Sequence, residues 1–287
     1  MDGEPLLDPG LLARLERLQL GTRRRLAGGL GGEHRSVRRG ESVDFADHRT
    51  YHQGDDFRRI DYNLLARLDV LMVKLFDAED DLTLRLVVDT SASMGLGNKL
   101  VQATRAAAAL GFVALVRRDP VVVHTFADGG RRFTGRSATW ELFDHLGAQR
   151  ATGPTAFSAC VADLLSRPGP PGLTVVLSDL LTPEWAAGLD RLPARGGDVV
   201  VVHVLARDDL SPDLFGDLDL VDVETGASVP VSLSADVVAG YERAARAWVD
   251  EVATRCRRAG VAYVTLFADD DLEQALLGHW RTSGVVR

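Results

Sequence analysis

The sequence predicts an α/β protein, a mostly parallel sheet with helices on both faces, preceded by an N-terminal wrap segment. Three observations predict it. The runs LTLRLVV from Leu82, LTVVLSD from Leu173, DVVVVHVLA from Asp198 and VAYVTLFA from Val261 are apolar enough to be strands buried on both faces. Helix-period segments separate these runs, the alternation that builds parallel crossover units. The 287 residues, 46% hydrophobic and 26% charged, suffice for a full core.

The elements follow in order. Pro9 to Leu20 sets Leu11, Leu12, Leu15 and Leu18 at helical spacing and stops at Gly21, which reads as a docking helix. From Gly28 to Leu68 the chain is Gly-, Arg- and Asp-rich with no period, so it is expected to be a solvated loop region or a partner surface. With the preceding run Arg23 to Arg25 it carries ten Arg against seven acids, making it locally basic. Leu71 to Phe76 alternates as a strand. Lys99 to Arg118 is a long helix with an alanine-rich stripe, followed by the strand VVVHTFA, a Gly129-Gly130 turn and the return strand RRFTG. Helices are expected over Ala138 to Gly147, Ala156 to Leu165, Pro183 to Leu192 and Ala235 to Arg258, and from Asp270 onward. Asp208 to Asp236 holds eight acids and no Lys or Arg, and LDLVDV and SVPVSL flank ETGA there, which predicts a hairpin insertion. The expected division is residues 1–80, helix and charged wrap, and residues 81–287, the α/β domain.

Composition narrows the function classes. Lys+Arg 33 against Asp+Glu 41 leaves a net charge of −8, the wrong sign for a dominant nucleic-acid or anionic-membrane surface. The opening MDGEPLLDPG has no basic and apolar leader pattern, and the run Ala106 to Val116 is too short to span a bilayer. Cys160 and Cys256 are too few for a disulfide framework, so a cytoplasmic protein with free thiols is expected. Lysine occurs only at Lys74 and Lys99, which reads as codon bias toward arginine.

In open α/β sheets ligands bind beyond the carboxyl ends of strands. The first buried strand ends in LVVDTSASMG, where Asp89, Ser91 and Ser93 enter a turn before a helix. Mg2+ or Mn2+ takes about six oxygens in near-octahedral geometry, and a cluster of small hydroxyls with few carboxylates suits that demand. Thr155, at a helix start after Gly153-Pro154, and Asp179, at the end of another buried strand, supply further oxygens. An isolated Asp-x-Ser-x-Ser is ordinarily a turn or helix cap; the strand before it and the two partner loops favour a metal site.

Asp89, Ser91, Ser93, Thr155 and Asp179 resemble the metal-ion-dependent adhesion site of von Willebrand factor type A domains, a Rossmann-like fold. The resemblance covers Leu82 onward. It implies that the serines and the threonine bind the metal directly, that the aspartates act largely through water, and that an acidic side chain of a protein partner completes the coordination. Upstream, Arg49, Tyr51, Gly54, Asp55, Arg58, Ile60, Asp61, Ala66, Arg67, Lys74 and Glu79 resemble the signature of the bacterial domain-of-unknown-function family fifty-eight. That family's type A-like domain is commonly paired with MoxR-type AAA+ ATPases, which implies such a partner and a chaperone-like role in protein remodelling or maturation. The signature itself reads as a charged clasp, Asp55, Asp61 and Glu79 pairing with Arg58, Arg49 and Arg67 over Tyr51 and Phe57.

The leading expectation is a metal-dependent protein-binding adaptor and not an enzyme. The rival is a metal-dependent hydrolase or phosphatase using Asp89 and Asp179. It lacks a second aspartate two residues after Asp89 and the Gly-x-Ser-x-Gly of a serine hydrolase. A dinucleotide site fails because Gly95-Leu96-Gly97 has no third glycine. His48 and His52 are spaced for zinc but lie in loop-like text; His124 and His203 read as core histidines, and Trp140, Trp185, Trp248 and Trp280 as packing anchors.

Overall fold

A computed structural model describes residues 5–21, 45–51, 57, 60–76 and 82–286 of the chain. The chain divides into two compact units, Met1–Gly28 together with Leu82–Arg287, and Gly29–Asp81. This shifts the expected boundary. Helix α1 (Pro9–Leu15), capped by Asp8, belongs with the α/β unit, because Leu7, Leu11, Leu15, Leu18 and Leu20 join that unit's core.

The smaller unit contains more regular structure than its composition suggests. Strand β1 (Phe45–Thr50) pairs antiparallel with β2 (Met72–Phe76), and between them α2 (Tyr62–Leu68) starts on the Asp61 carboxylate, which accepts from the N–H groups of Asn63 and Leu64 at 2.9 and 3.2 Å. No α2 residue is buried, which is why the segment showed no apolar period. Of the expected clasp, Asp61 serves as this cap and Phe57 is 65% exposed. Gly54, Asp55, Arg58, Glu79 and His52 lie outside the described residues, as do the side chains of Arg49 and Lys74.

In the larger unit the elements are β3 (Thr83–Val88), α3 (Lys99–Val116), β4 (Val121–Thr125), β5 (Arg131–Phe133), α4 (Thr139–Gly147), α5 (Phe157–Ser166), β6 (Gly172–Ser178), α6 (Trp185–Arg191), β7 (Gly197–Leu205), α7 (Arg207–Leu210), β8 (Gly216–Val221), β9 (Ser228–Leu233), α8 (Ala235–Arg258), β10 (Ala262–Phe267), α9 (Leu272–Leu277) and α10 (His279–Thr282). The central sheet has the order β10-β7-β6-β3-β4-β5, parallel except for the edge strand β5. Every residue of β3 and β6 is buried, as expected of strands covered on both faces. Leu84, Leu86 and Val88 enter the cluster with Ala103, Ala107, Leu142 and Trp280, whereas Val87, Val176 and Val201 enter the cluster with Phe157, Leu189, Val252 and Cys256. The period of two in the strands thus feeds two separate helix layers.

By length and composition the helical stretch Ala92–Val116 could cross a membrane, but its apolar window is 83% buried inside the protein, so its hydrophobicity is spent on the core. Trp280 and Trp185 are buried anchors; Trp140 is 67% exposed and only edges Phe143, against expectation. The acidic insertion forms the hairpin β8–β9, whose strands pair with each other and with no other strand among the described residues.

Candidate metal centre at the strand ends

Chain order sends β3 to β4 on one side, while β6, β7 and β10 follow on the other, so β3 and β6 flank the point where the winding reverses. A crevice forms at the carboxyl ends of such a strand pair. Asp89 leaves β3 there with its N–H on Leu177 O at 2.9 Å, which aligns it with the Ser178-Asp179 end of β6.

Asp89 is fully buried, and among the described residues its carboxylate accepts hydrogen bonds from hydroxyls and an amide. Its Oδ1 accepts from the Ser91 N–H at 2.9 Å and the Ser91 hydroxyl at 2.6 Å, and its Oδ2 accepts from the Ser178 hydroxyl. Ser91 Oγ lies 3.0 Å from Ser93 Oγ. Burial and the neighbouring Asp179 charge raise the Asp89 carboxyl to about 6, against the lowering effect of the Ser178 and Ser91 hydrogen bonds. Both serines are buried, deeper than a strand-end position alone implies. Thr90 Oγ1, beside them, is buried with no hydrogen-bond partner among the described residues.

Asp179 has a cation of its own. Lys99, at the start of α3, is completely buried, with Nζ 2.8 Å from Asp179 Oδ2 and 3.2 Å from Asp209 Oδ2. Burial alone would lower the Lys99 ammonium, but the two carboxylates outweigh it and the net shift is upward. The other Asp179 oxygen accepts the Leu181 N–H at 3.1 Å. Between them Leu180 sits in the left-handed region at φ 54, held by its N–H on Ser178 Oγ at 2.9 Å. A non-glycine residue there costs on the order of 1–2 kcal/mol, so the loop's shape is imposed by its surroundings. Gly97, at φ 60, lets the turn after Ser93 pass close to Ala206, where a Cβ would lie 2.6 Å from the alanine Cβ.

The Thr155 loop is strapped to the serine turn by Thr152 N–H on Thr90 O at 2.8 Å and Ala92 N–H on Gly153 O at 2.9 Å. Thr155 itself donates from both its N–H, at 2.9 Å, and its hydroxyl to the two carboxylate oxygens of Glu224, from the turn of the acidic hairpin. All five residues expected from the spacing therefore sit on three adjoining loops. The sequence reading missed Ser178, Lys99, Asp209 and Glu224. Ser178 adjoins Asp179 in the text, and Lys99 is one of only two lysines in an arginine-rich chain, a signal passed over as codon usage.

The donor set suits a hard divalent cation. No group of three or more His, Cys, Asp or Glu gathers among the described residues, so hydroxyl oxygens would be the main protein ligands. Ser91 gives its proton to Asp89 and keeps its lone pairs. Adjacent ligands of an octahedral Mg2+ lie about 2.9 Å apart, close to the Ser91–Ser93 oxygen separation, which an ordinary hydrogen bond also explains. Among the described residues Lys99 is the cation paired with Asp179 and Asp209, while Asp89 stands beside Asp179 with no cation of its own, a place where a divalent ion would relieve negative charge.

A family model described as "Protein of unknown function DUF58" matches residues 47–276. The uncharacterized protein Rv1480 of Mycobacterium tuberculosis and the uncharacterized protein Mb1516 of Mycobacterium bovis are each 31% identical to this chain over 281 residues, covering 92% of it and 87% of their own length. Among solved structures, a conserved hypothetical protein BatB from Bacteroides thetaiotaomicron superposes with a TM-score of 0.41 at 14% identity, over 70% of this chain and 98% of that one. An aerotolerance-related membrane protein from Bacteroides fragilis gives a TM-score of 0.40 at 17% identity over the same shares.

Proposed function

The chain belongs to the family described as protein of unknown function DUF58, and from that premise we propose that it is a metal-ion-dependent protein-binding adaptor of the von Willebrand factor type A kind. The observation that carries the reading is the buried Asp89–Ser91–Ser93 cluster at the end of β3, beside Asp179 at the point where the sheet winding reverses.

In this reading Ser91, Ser93 and Thr155 would hold Mg2+ or Mn2+ through their hydroxyl oxygens, with Asp89 and Asp179 acting through water. The bound ion supplies a Lewis-acidic position for an acidic side chain of a partner. Asp89 and Ser178 orient the hydroxyls, and Lys99 fixes the Asp179 loop by ion pairing from inside the core. The partner the family resemblance suggests is a MoxR-type AAA+ ATPase, the pair working in the cytoplasm on protein remodelling or maturation. The reading gives Asp89 no nucleophilic role, since both its oxygens accept hydrogen bonds that orient the neighbouring hydroxyls.

Metal titration by calorimetry, followed by capture from lysate in Mg2+ and in chelator, tests the reading. The wild-type protein should bind Mn2+ and Mg2+ and retain an AAA+ ATPase only with metal, and Ser91→Ala with Ser93→Ala should lose both while keeping a native circular dichroism spectrum. Unchanged metal binding in that variant would place the ion elsewhere and sink the proposal.

A further inference from the structure

The hairpin β8–β9 is an exposed two-stranded ribbon that pairs with no other strand among the described residues, yet it reaches the candidate centre. Its tip is a built turn: Asp222 Oδ1 accepts the N–H groups of Glu224 and Thr225 at 2.8 and 3.3 Å, and Gly226 takes a positive φ of 72. That turn presents Glu224 so that both its oxygens are received by Thr155, one on the N–H and one on the hydroxyl. At the other end of the same insertion Asp209 contacts Lys99, which holds Asp179. The insertion therefore touches the Thr155 loop directly and reaches the Asp179 loop through Lys99. Leu220, Val221, Val223 and Val229 along it are exposed.

We propose that Glu224 is a built-in carboxylate that closes the Thr155 side of the centre in cis, so that an acidic partner gains access only when the hairpin tip is displaced. This rests on the metal-binding reading above. Thr155 is the hydroxyl assigned to the ion in that reading, and a carboxylate clamped on its oxygen stands next to that coordination position without any partner present. An external glutamate or aspartate has the same chemistry and must compete with one whose effective concentration is set by a short turn. A lone two-stranded ribbon is marginal in water, so releasing its tip costs little. The competing explanation is that Glu224 merely satisfies a spare N–H ahead of α5, whose own N-cap side chain makes no bond.

The test uses the full chain, stripped with chelator and titrated with Mn2+, with water-proton relaxation reporting the exchangeable waters on the bound ion. In the wild type, millimolar acetate should leave the signal unchanged. Glu224→Ala should bind Mn2+ on the order of 10-fold more weakly, gain relaxivity equivalent to one more water, and lose that gain on adding acetate. Glu224→Gln, which keeps the shape of the tip and one of its two acceptor oxygens but no charge, should behave in the same direction and guards against misfolding of the alanine variant. If the wild type and both variants bind Mn2+ with equal relaxivity and equal response to acetate, Glu224 is only a cap and the inference falls while the metal reading stands. If the wild type binds no Mn2+, the metal reading falls and takes the inference with it.

Discussion

Lys99 shows how much of this site depends on single side chains. A completely buried ammonium persists only because Asp179 and Asp209 both receive it, at 2.8 and 3.2 Å. Lys99→Met leaves Asp179 buried and without its cation, and should lower stability by about 3–5 kcal/mol in urea unfolding. Adding Asp179→Leu to that variant should recover part of the loss, the non-additivity expected of a direct pair. Spacing made Asp89, Ser91 and Ser93 legible because they lie within one turn, and Asp179 and Thr155 legible because each follows a recognisable strand or precedes a recognisable helix. Glu224 and Asp209 were not legible as site residues, since their contacts reach across 69 and more than a hundred positions of chain.

At the scale of elements, local periodicity reported what is buried and was silent on what is not. The fully buried β3 and β6 announced themselves as apolar runs, whereas α2, with no buried residue, and β1, in a charged stretch, did not. Helix α1 was legible as a helix and assigned to the wrong unit, because an amphipathic stripe specifies a face and not the surface it will meet. Leu11 and Leu15 are 4% and 1% exposed, and α1 is tied to the larger unit further by Arg14 to Glu273 and by Arg117 Nε on Leu18 O at 2.8 Å. Leu15→Ala should therefore destabilise the α/β unit by about 2–5 kcal/mol, seen as a lower urea midpoint with an unchanged slope. A variant as stable as the wild type would mean that α1 docks only weakly.

For the whole molecule, the acid side of the stability curve is set by groups the core keeps in one charge state. His124 on β4 and His203 on β7 are both lowered to about 4, chiefly by burial, and His203 is further held between the Tyr263 hydroxyl at 2.8 Å and Asp179 O at 3.0 Å. The unfolded chain takes up these protons near pH 6.5 and the folded one does not. Their contribution is thus full above pH 6.5 and lost as pH falls toward 4. Asp89, raised to about 6, acts in the opposite sense, since the folded protein is protonated there first. His124→Gln should flatten the fall in unfolding free energy between pH 7 and pH 5 by about 2 kcal/mol; equal pH dependence in variant and wild type would show that His124 titrates normally in the fold. The α/β architecture was legible at this scale because parallel strands buried on both faces leave long apolar runs, and the order of the strands was not, since nothing local records which strand lies beside which.

The antiparallel bridge between Leu20 and Val286, reinforced by Gly21 N–H on Val285 O at 2.9 Å, also has a consequence in time. A seven-residue helix has no stability of its own in water. Val285 and Val286, which pair with Gly21 and Leu20, are synthesised about 265 positions after them, a delay of roughly 15 to 50 s at 5–20 residues per second. The leucines of α1 can meet the helix Lys99–Val116 well before that, but the seam beside Leu20 closes only when the last strand-like residues arrive. The smaller unit, which lies between the two stretches of the larger one in sequence, can fold in the meantime.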